Sequence, residues 1–210
     1  MSIVVEHEKR RREILEKALD VFMDEGFENV TFQKISARCG ITRTTLYMYF
    51  KNKKEIFNYS IKQLLGELER RIGGIRKNQE LDCEGRLTQV LTIIIDALEE
   101  NRRLLTVILN YLRYLSKSNS NPDDRVRRRT LRLRHILATM VIEGIRDGEL
   151  APVNVRAAND LLYGIIESAI FRLTILERES AAELKQAAEL AVRRLASGGR
   201  GKSPPAGVAR

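Results

Sequence analysis

A chain of 210 residues that is 43% hydrophobic and 31% charged, with 13 glycines and only 4 prolines, excludes a disordered, collagen-like or low-complexity protein. The net charge of +9 invites a polyanionic partner, while two cysteines without metal-ligand spacing are too few for a disulfide framework and read as packing residues. The longest uncharged runs, 87–95 and 104–112, are about half of what a membrane span needs, and the charged start lacks the apolar stretch of a signal peptide. No membrane association is expected, and the expected location is cytoplasmic, with reduced thiols.

Helical periodicity runs through almost the whole chain and no alternating apolar run marks a strand, so the expected class is all-α. The first helix is expected over residues 8–25, with Ile14, Leu15, Ala18, Leu19 and Phe22 on one face and Gly26 as its stop. Thr31 is placed to cap a helix that buries Phe32 and Ile35 and ends at Gly40. Thr42 is placed to cap a second short helix over 43–50. Two short helices across a tight glycine turn read as helix-turn-helix. A fourth helix opens near Asn52 or Lys53, carries Ile56, Phe57, Ile61, Leu64, Leu65 and Leu68, and is expected to fray at Gly73-Gly74. Longer helices follow. One carries Leu87 to its end near Glu100, the next runs from Leu104 to Leu115, and a polar connector over 116–121 leads to a helix from about Pro122, closed by Gly148. The last two begin near 152–154 and near Ser180. This layout gives an N-terminal three-helix unit over 1–55, a helical bundle over 56–197, joined within the fourth helix, and a disordered Gly/Pro/basic tail over 198–210.

The positive charge is gathered in three places on a mildly acidic body. Residues 31–54 carry Lys34, Arg38, Arg43, Lys51, Lys53 and Lys54 with no acid; residues 125–134 carry Arg125, Arg127, Arg128, Arg129, Arg132 and Arg134 with no acid; the tail adds Arg200, Lys202 and Arg210. A helix that reads duplex DNA needs an apolar side for its own domain and a polar, cationic side for the groove. Ile41, Leu46 and Phe50 supply the first. Arg43 and Thr44, at the helix start, and Gln33, on the preceding helix, are suited to base edges. Thr31, Thr42, Thr45, Tyr47, Tyr49 and Lys53 are suited to phosphate oxygens, Lys53 at a helix start whose free N–H groups favour the same anion. The run 9–12 is either an arm toward DNA or the solvated start of a helix, and 125–134 reads as a solvated helix face, with an acidic effector or a second DNA strand as the alternative. His7 and His135 have no partner at metal-ligand or catalytic spacing. No phosphate loop, nucleophile motif or carboxylate pair is recognisable, so neither a metal, a cofactor nor enzymatic activity is expected.

The window 31–54, TFQKISARCGITRTTLYMYFKNKK, resembles the DNA-binding segment of the tetracycline-repressor-like (TetR) family of bacterial transcription regulators. The likeness rests on Thr31 and Ile35, on Gly40-Ile41-Thr42 at the turn, on Thr45-Leu46-Tyr47, Tyr49 and Phe50 in the second short helix, and on Lys51-Asn52-Lys53. It covers about the first 60 residues; beyond them only the helical layout is similar, with Gly148-Glu149-Leu150 as the connector before the penultimate helix. Thr44 stands where glycine or alanine is common, and Tyr49 where histidine is frequent. The resemblance implies a homodimeric repressor of a palindromic operator on double-stranded DNA, released by a small-molecule effector that is largely apolar. It implies dimerisation through the last two long helices, whose stripes are Leu161, Ile165, Ser168, Ala169 and Arg172 on one and Leu184, Ala188, Ala191 and Leu195 on the other. It also implies an effector cavity among the helices of 84–175, for which Asn110, Tyr111, Tyr114, His135, Tyr163, Glu167 and Phe171 supply polar and aromatic groups. Two other readings are a helical interaction protein or enzyme that uses DNA binding only for positioning, and a regulator controlled by a protein partner without a small ligand.

Overall fold

A computed structural model describes residues 3–117 and 123–197, with all of their side chains except those at 3, 4, 114, 116, 117, 123–127, 129 and 197. The elements are α1 (Ile3–Asn29), α2 (Phe32–Cys39), α3 (Arg43–Tyr49), α4 (Lys53–Lys77), α5 (Cys83–Glu100), α6 (Arg102–Lys117), α7 (Asp123–Arg146), α8 (Val155–Thr174) and α9 (Ala182–Ser197). Among the described residues every element is a helix, as the periodicity requires. The tail over 198–210 and most of the 116–121 connector lie outside them.

Local chemistry sets the boundaries around the turn. Ile14, Leu15, Ala18, Val21 and Phe22 form the buried stripe of α1, and Gly26, at φ 73° and ψ 159°, breaks the helix before a last short turn to Asn29. The Thr31 hydroxyl accepts from Lys34 N at 3.3 Å and caps α2. Gly40, at φ 67°, ends α2 in the left-handed conformation, its N–H donating to Ala37 O at 3.2 Å and that of Ile41 to Ser36 O at 3.1 Å. Thr42 Oγ1 accepts from Thr45 N at 3.1 Å and opens α3. Asn52 caps α4, its Oδ1 accepting from Glu55 N at 2.9 Å, while the Glu55 carboxylate accepts from Lys51 N at 2.6 Å. The expected fraying at Gly73-Gly74 does not occur. α4 runs on to Lys77, with Ile72 buried beside the glycines, so packing outweighs glycine's weak helix propensity.

The helices fall into two compact units, Met1–Glu69 with Asn101–Pro122, and Arg70–Glu100 with Asp123–Arg210. The division differs from the boundary read at 55 and 56, because α6 packs along α1 in the first unit. Leu104, Val107 and Tyr111 of α6 are buried there, and Tyr111 lies 4.3 Å from Phe27 and 5.0 Å from Phe57 between ring centroids. In the second unit α5 packs on α7, α8 and α9, α7 on α8, and α8 on α9. Ile165 and Ala169 of α8 and Leu184, Ala188 and Leu195 of α9 are buried within this unit. Those five positions, read from the sequence as dimer contacts, are therefore core positions of one protomer. Leu161 and Ser168 face outward, Ala191 is half-buried, and Arg172 pairs with Glu183 at 2.9 Å. Cys39 and Cys83 are both buried free thiols, and burial pushes the Cys83 thiol up to about 11, which keeps it protonated and unreactive.

Candidate nucleic-acid interface

The exposed surface of α2, the turn and α3 is built by the two threonine caps and Gly40, which fix the ends of both helices. Leu46, at the centre of α3, is wholly buried against the first unit's core, as is Phe50. The opposite side of α3 presents Arg43, Thr44, Tyr47 and Met48 to solvent, with Gln33 exposed on α2. Tyr47 and Met48 are 50% and 76% exposed, unusual for large side chains on a helix this well anchored. Met48 was missed by sequence reasoning, although its position four residues after Thr44 puts it on the same face.

The hydroxyls assigned to phosphate are already engaged in part. Thr31 and Thr42 serve as caps, and the Thr45 hydroxyl lies 2.8 Å from that of Thr42. Tyr49 is half-buried and stacks on His7 of α1, with centroids 4.6 Å apart and planes at 23°. The Tyr47 hydroxyl accepts from Nη2 of Arg43 at 3.2 Å. The run 9–12 lies within α1, about two turns from its first residue. Arg10 pairs with Glu13 at 3.0 Å, and the Arg11 guanidinium lies 4.3 Å from the Tyr59 ring centroid and 5.2 Å from that of Phe50.

The basic window is less cationic in space than in sequence. Lys34 pairs with Glu25, and Arg38 pairs with Asp24 at 2.9 Å. The other Asp24 oxygen takes Arg103 of α6 at 2.9 Å. Hydrogen bonds from Arg38 and then Arg103 hold the Asp24 carboxyl below its ordinary range. Lys53 departs most from expectation. Its ammonium donates to the carbonyls of Phe27, Glu28 and Val30 at 2.9, 2.8 and 3.0 Å, closing the broken end of α1, so its three protons are all engaged away from any phosphate. Burial pulls its pKa below the ordinary lysine value, with the Glu28 charge opposing. Arg43, Lys51 and Lys54 are the window's exposed cations without a carboxylate partner among the described residues.

The residues offered for an effector are divided between the two units. Asn110 and Tyr111 belong to the first unit, Asn110 exposed and Tyr111 enclosed by Phe27 and Phe57. The Tyr114 side chain lies outside the described residues. In the second unit His135, Glu167 and Phe171 are exposed, while Tyr163 is buried. Tyr163 donates to Thr130 Oγ1 at 3.4 Å beneath the Arg134 guanidinium, 4.9 Å from the ring centroid. Beside it Asn159 donates to Arg134 O at 3.0 Å, and its Oδ1 is buried with no hydrogen-bond partner among the described residues. Sequence reasoning passed over Asn159, whose signal is an amide between Ala158 and Leu162 on the apolar stripe of α8. Of the 125–134 arginines, the side chains at 125, 127 and 129 lie outside the described residues. Arg128 and Arg132 are exposed, and Arg134 pairs with Asp160. Among the described residues no three potential metal ligands cluster and no helix is long and apolar enough to cross a membrane.

Residues 14–59 match the model of the bacterial regulatory proteins of the tetR family. Over 159 residues the chain is 25% identical to the fatty acid metabolism regulator protein of Bacillus subtilis, covering 75% of this chain and 80% of that one. A TetR transcription regulator from Haloarcula marismortui has a similar fold, with a TM-score of 0.75 at 21% identity over 90% of this chain and 97% of that one. So does the transcriptional regulator FadR from Bacillus subtilis in complex with stearoyl-CoA, with a TM-score of 0.67 at 23% identity over 89% and 97% of the two chains.

Proposed function

We propose, from the match of residues 14–59 to the model of the tetR family of bacterial regulatory proteins, a homodimeric repressor that reads a palindromic operator through α2 and α3 and is released by a small-molecule effector. The observation that carries the reading is the outward face of α3, anchored by Leu46 and Phe50 and presenting Arg43 and Thr44 from a helix whose ends are fixed by caps. Arg43, Thr44 and Gln33 face base edges, and Thr31, Thr42, Thr45 and Tyr49 line the phosphates. In this reading residues 1–55 read the operator and 56–197 dimerise and sense. The first unit's inclusion of α6 supports a direct link from the sensing segment to the reading helices.

The dimer uses the outer side of α8 and α9. Leu161, Phe171, Ile175 and Leu176 are each at least half exposed along or just beyond α8, and Leu190 is 64% exposed on α9. Two α8–α9 pairs meeting across a two-fold axis cover these residues, and a two-fold dimer suits an operator whose half-sites lie about 34–36 Å apart, one turn of duplex. The stearoyl-CoA held by the Bacillus subtilis FadR supports an effector with a long apolar part. The buried, unpartnered Oδ1 of Asn159 supports placing a polar group of the effector beside α7 and α8.

Selection of bound sequences from random duplex DNA with the full-length protein tests the proposal. The expected product is an inverted repeat with half-sites one helical turn apart. Retained binding with no enriched sequence would overturn operator reading and favour DNA binding for positioning alone.

A further inference from the structure

Tyr47 stands on the outward face of α3, yet its side chain is held at both ends. Its ring stacks on Phe32, with centroids 4.5 Å apart and planes at 27°, and Phe32 is a buried residue at the start of α2. Its hydroxyl accepts a hydrogen bond from Nη2 of Arg43, one helical turn earlier, at 3.2 Å, and the guanidinium carbon lies 5.6 Å from the ring centroid. A guanidinium carries five donors in one rigid plane, so a bond from one Nη leaves the other donors available and, together with the contact to the ring, narrows the orientations that plane can take. Arginine recognises guanine by placing two such donors on N7 and O6 at the major-groove edge, which demands that plane. An exposed arginine without a support must give up its rotamer freedom on binding, and one already held by a phenol rooted in the α2 core gives up less.

We infer that Tyr47 is a positioning residue that orients the Arg43 guanidinium toward the guanine of a G·C pair, rather than a phosphate contact. The inference rests on the operator-reading proposal and deepens it, because it names the base pair and the residue that governs its recognition.

The test uses the operator recovered by selection and a set of its variants, each with one base pair replaced. Full-length wild type, Tyr47→Phe, Arg43→Ala and the double variant are compared for affinity, salt dependence and thermal midpoint. Tyr47→Phe keeps the ring on Phe32 and removes only the acceptor, so an unchanged midpoint is expected. The expected loss is about three- to tenfold in discrimination at one G·C pair, the same pair at which Arg43→Ala loses discrimination, in line with one net hydrogen bond. In the Arg43→Ala background the phenol substitution should then have no further effect. A uniform loss across all operators that adds to that of Arg43→Ala would overturn the inference in favour of a phosphate contact. No change in discrimination, or a selected operator without a G·C pair under Arg43, would also overturn it while leaving operator reading intact. Failure of the wild type to select any sequence would overturn operator reading itself, and the inference with it.

Discussion

Replacing Lys53 by methionine separates two roles that the same residue could hold. Methionine keeps an unbranched apolar stem over Phe27, whose ring centroid lies 5.0 Å from the ammonium, and deletes the donors to Phe27, Glu28 and Val30. A hydrogen bond to a charged group is worth about 1.5–3 kcal/mol net, but three such bonds do not sum here. Burial of the ammonium, visible in its lowered pKa, is a cost that the substitution removes. Glu28 is exposed, so water can replace the donor at its carbonyl, whereas Phe27 and Val30 are buried. With one or two carbonyls left unsatisfied, the expected loss is about 2–4 kcal/mol. For a chain of this size that lowers the thermal midpoint by roughly 5–15 °C. Thermal unfolding followed by circular dichroism measures the first effect, and operator affinity between low and moderate salt measures the second. In the proposed dimer a phosphate contact from each Lys53 would release about 1.8 counterions, two at about 0.9, and its loss would flatten the salt slope accordingly. An unchanged midpoint with a slope reduced by about two would refute the structural role.

Gly144→Ala should destabilise the second unit by about 1–3 kcal/mol through overpacking, because a Cβ there would come within 2.7 Å of the Leu150 side chain and closer still to Cys83 Sγ; chemical unfolding checks it, and an unchanged midpoint would show that the site can relax. Glu99, although partly desolvated, accepts from Ala181 N, Ser180 Oγ and Lys185, and these bonds hold its carboxyl below the ordinary 4.5. Its contribution is therefore fully present above about pH 4.5 and is lost as pH falls through the lowered value. The stability difference between wild type and Glu99→Gln should shrink in acid, and a difference that is constant with pH would contradict this. Leu190→Glu should convert the proposed dimer to monomer in sedimentation with helical content preserved, and a persistent dimer would move the interface elsewhere.

What could be read from the sequence around the turn was local. Thr31 to Lys34, Gly40 to Ala37 and Thr42 to Thr45 are three apart, so residue type and spacing determine both caps before any tertiary contact forms. The positions that escaped are those whose partners are remote. Lys53 meets a carbonyl 26 residues earlier, and Asp24 meets an arginine 79 residues later. Periodicity also identifies a helix's apolar stripe without identifying what covers it. Ile165, Ala169, Leu184 and Ala188 have the spacing of an interface, yet that stripe closes on its own unit, while the outward Phe171, Ile175 and Leu190 belong to a weaker pattern. Tyr111 reads as amphipathic in sequence and is drawn into an aromatic cluster that only the packing of α6 on α1 assembles.

The pairing of Lys34 and Arg38 with acids of α1 and the capping role of Lys53 change what kind of DNA binding the window can support. If Arg43 reads a base, Lys51 and Lys54 are the cations of this window left for phosphates. In a dimer they release only about three to four counterions, at about 0.9 each. Sequence-independent attraction from this surface is correspondingly weak, so tight binding has to come from base contacts that a wrong sequence lacks. The same neutralisation gives Asp24 a mechanical consequence. One carboxylate holds Arg38 of α2 and Arg103 at the start of α6, both at 2.9 Å, so the helix preceding the recognition helix and the first turn of α6 share an anchor. A shift of α6 therefore either carries α2 with it or breaks one of the two charge-assisted bonds at Asp24, and under the proposed operator reading this is the contact through which α6 would act on the helix pair α2–α3.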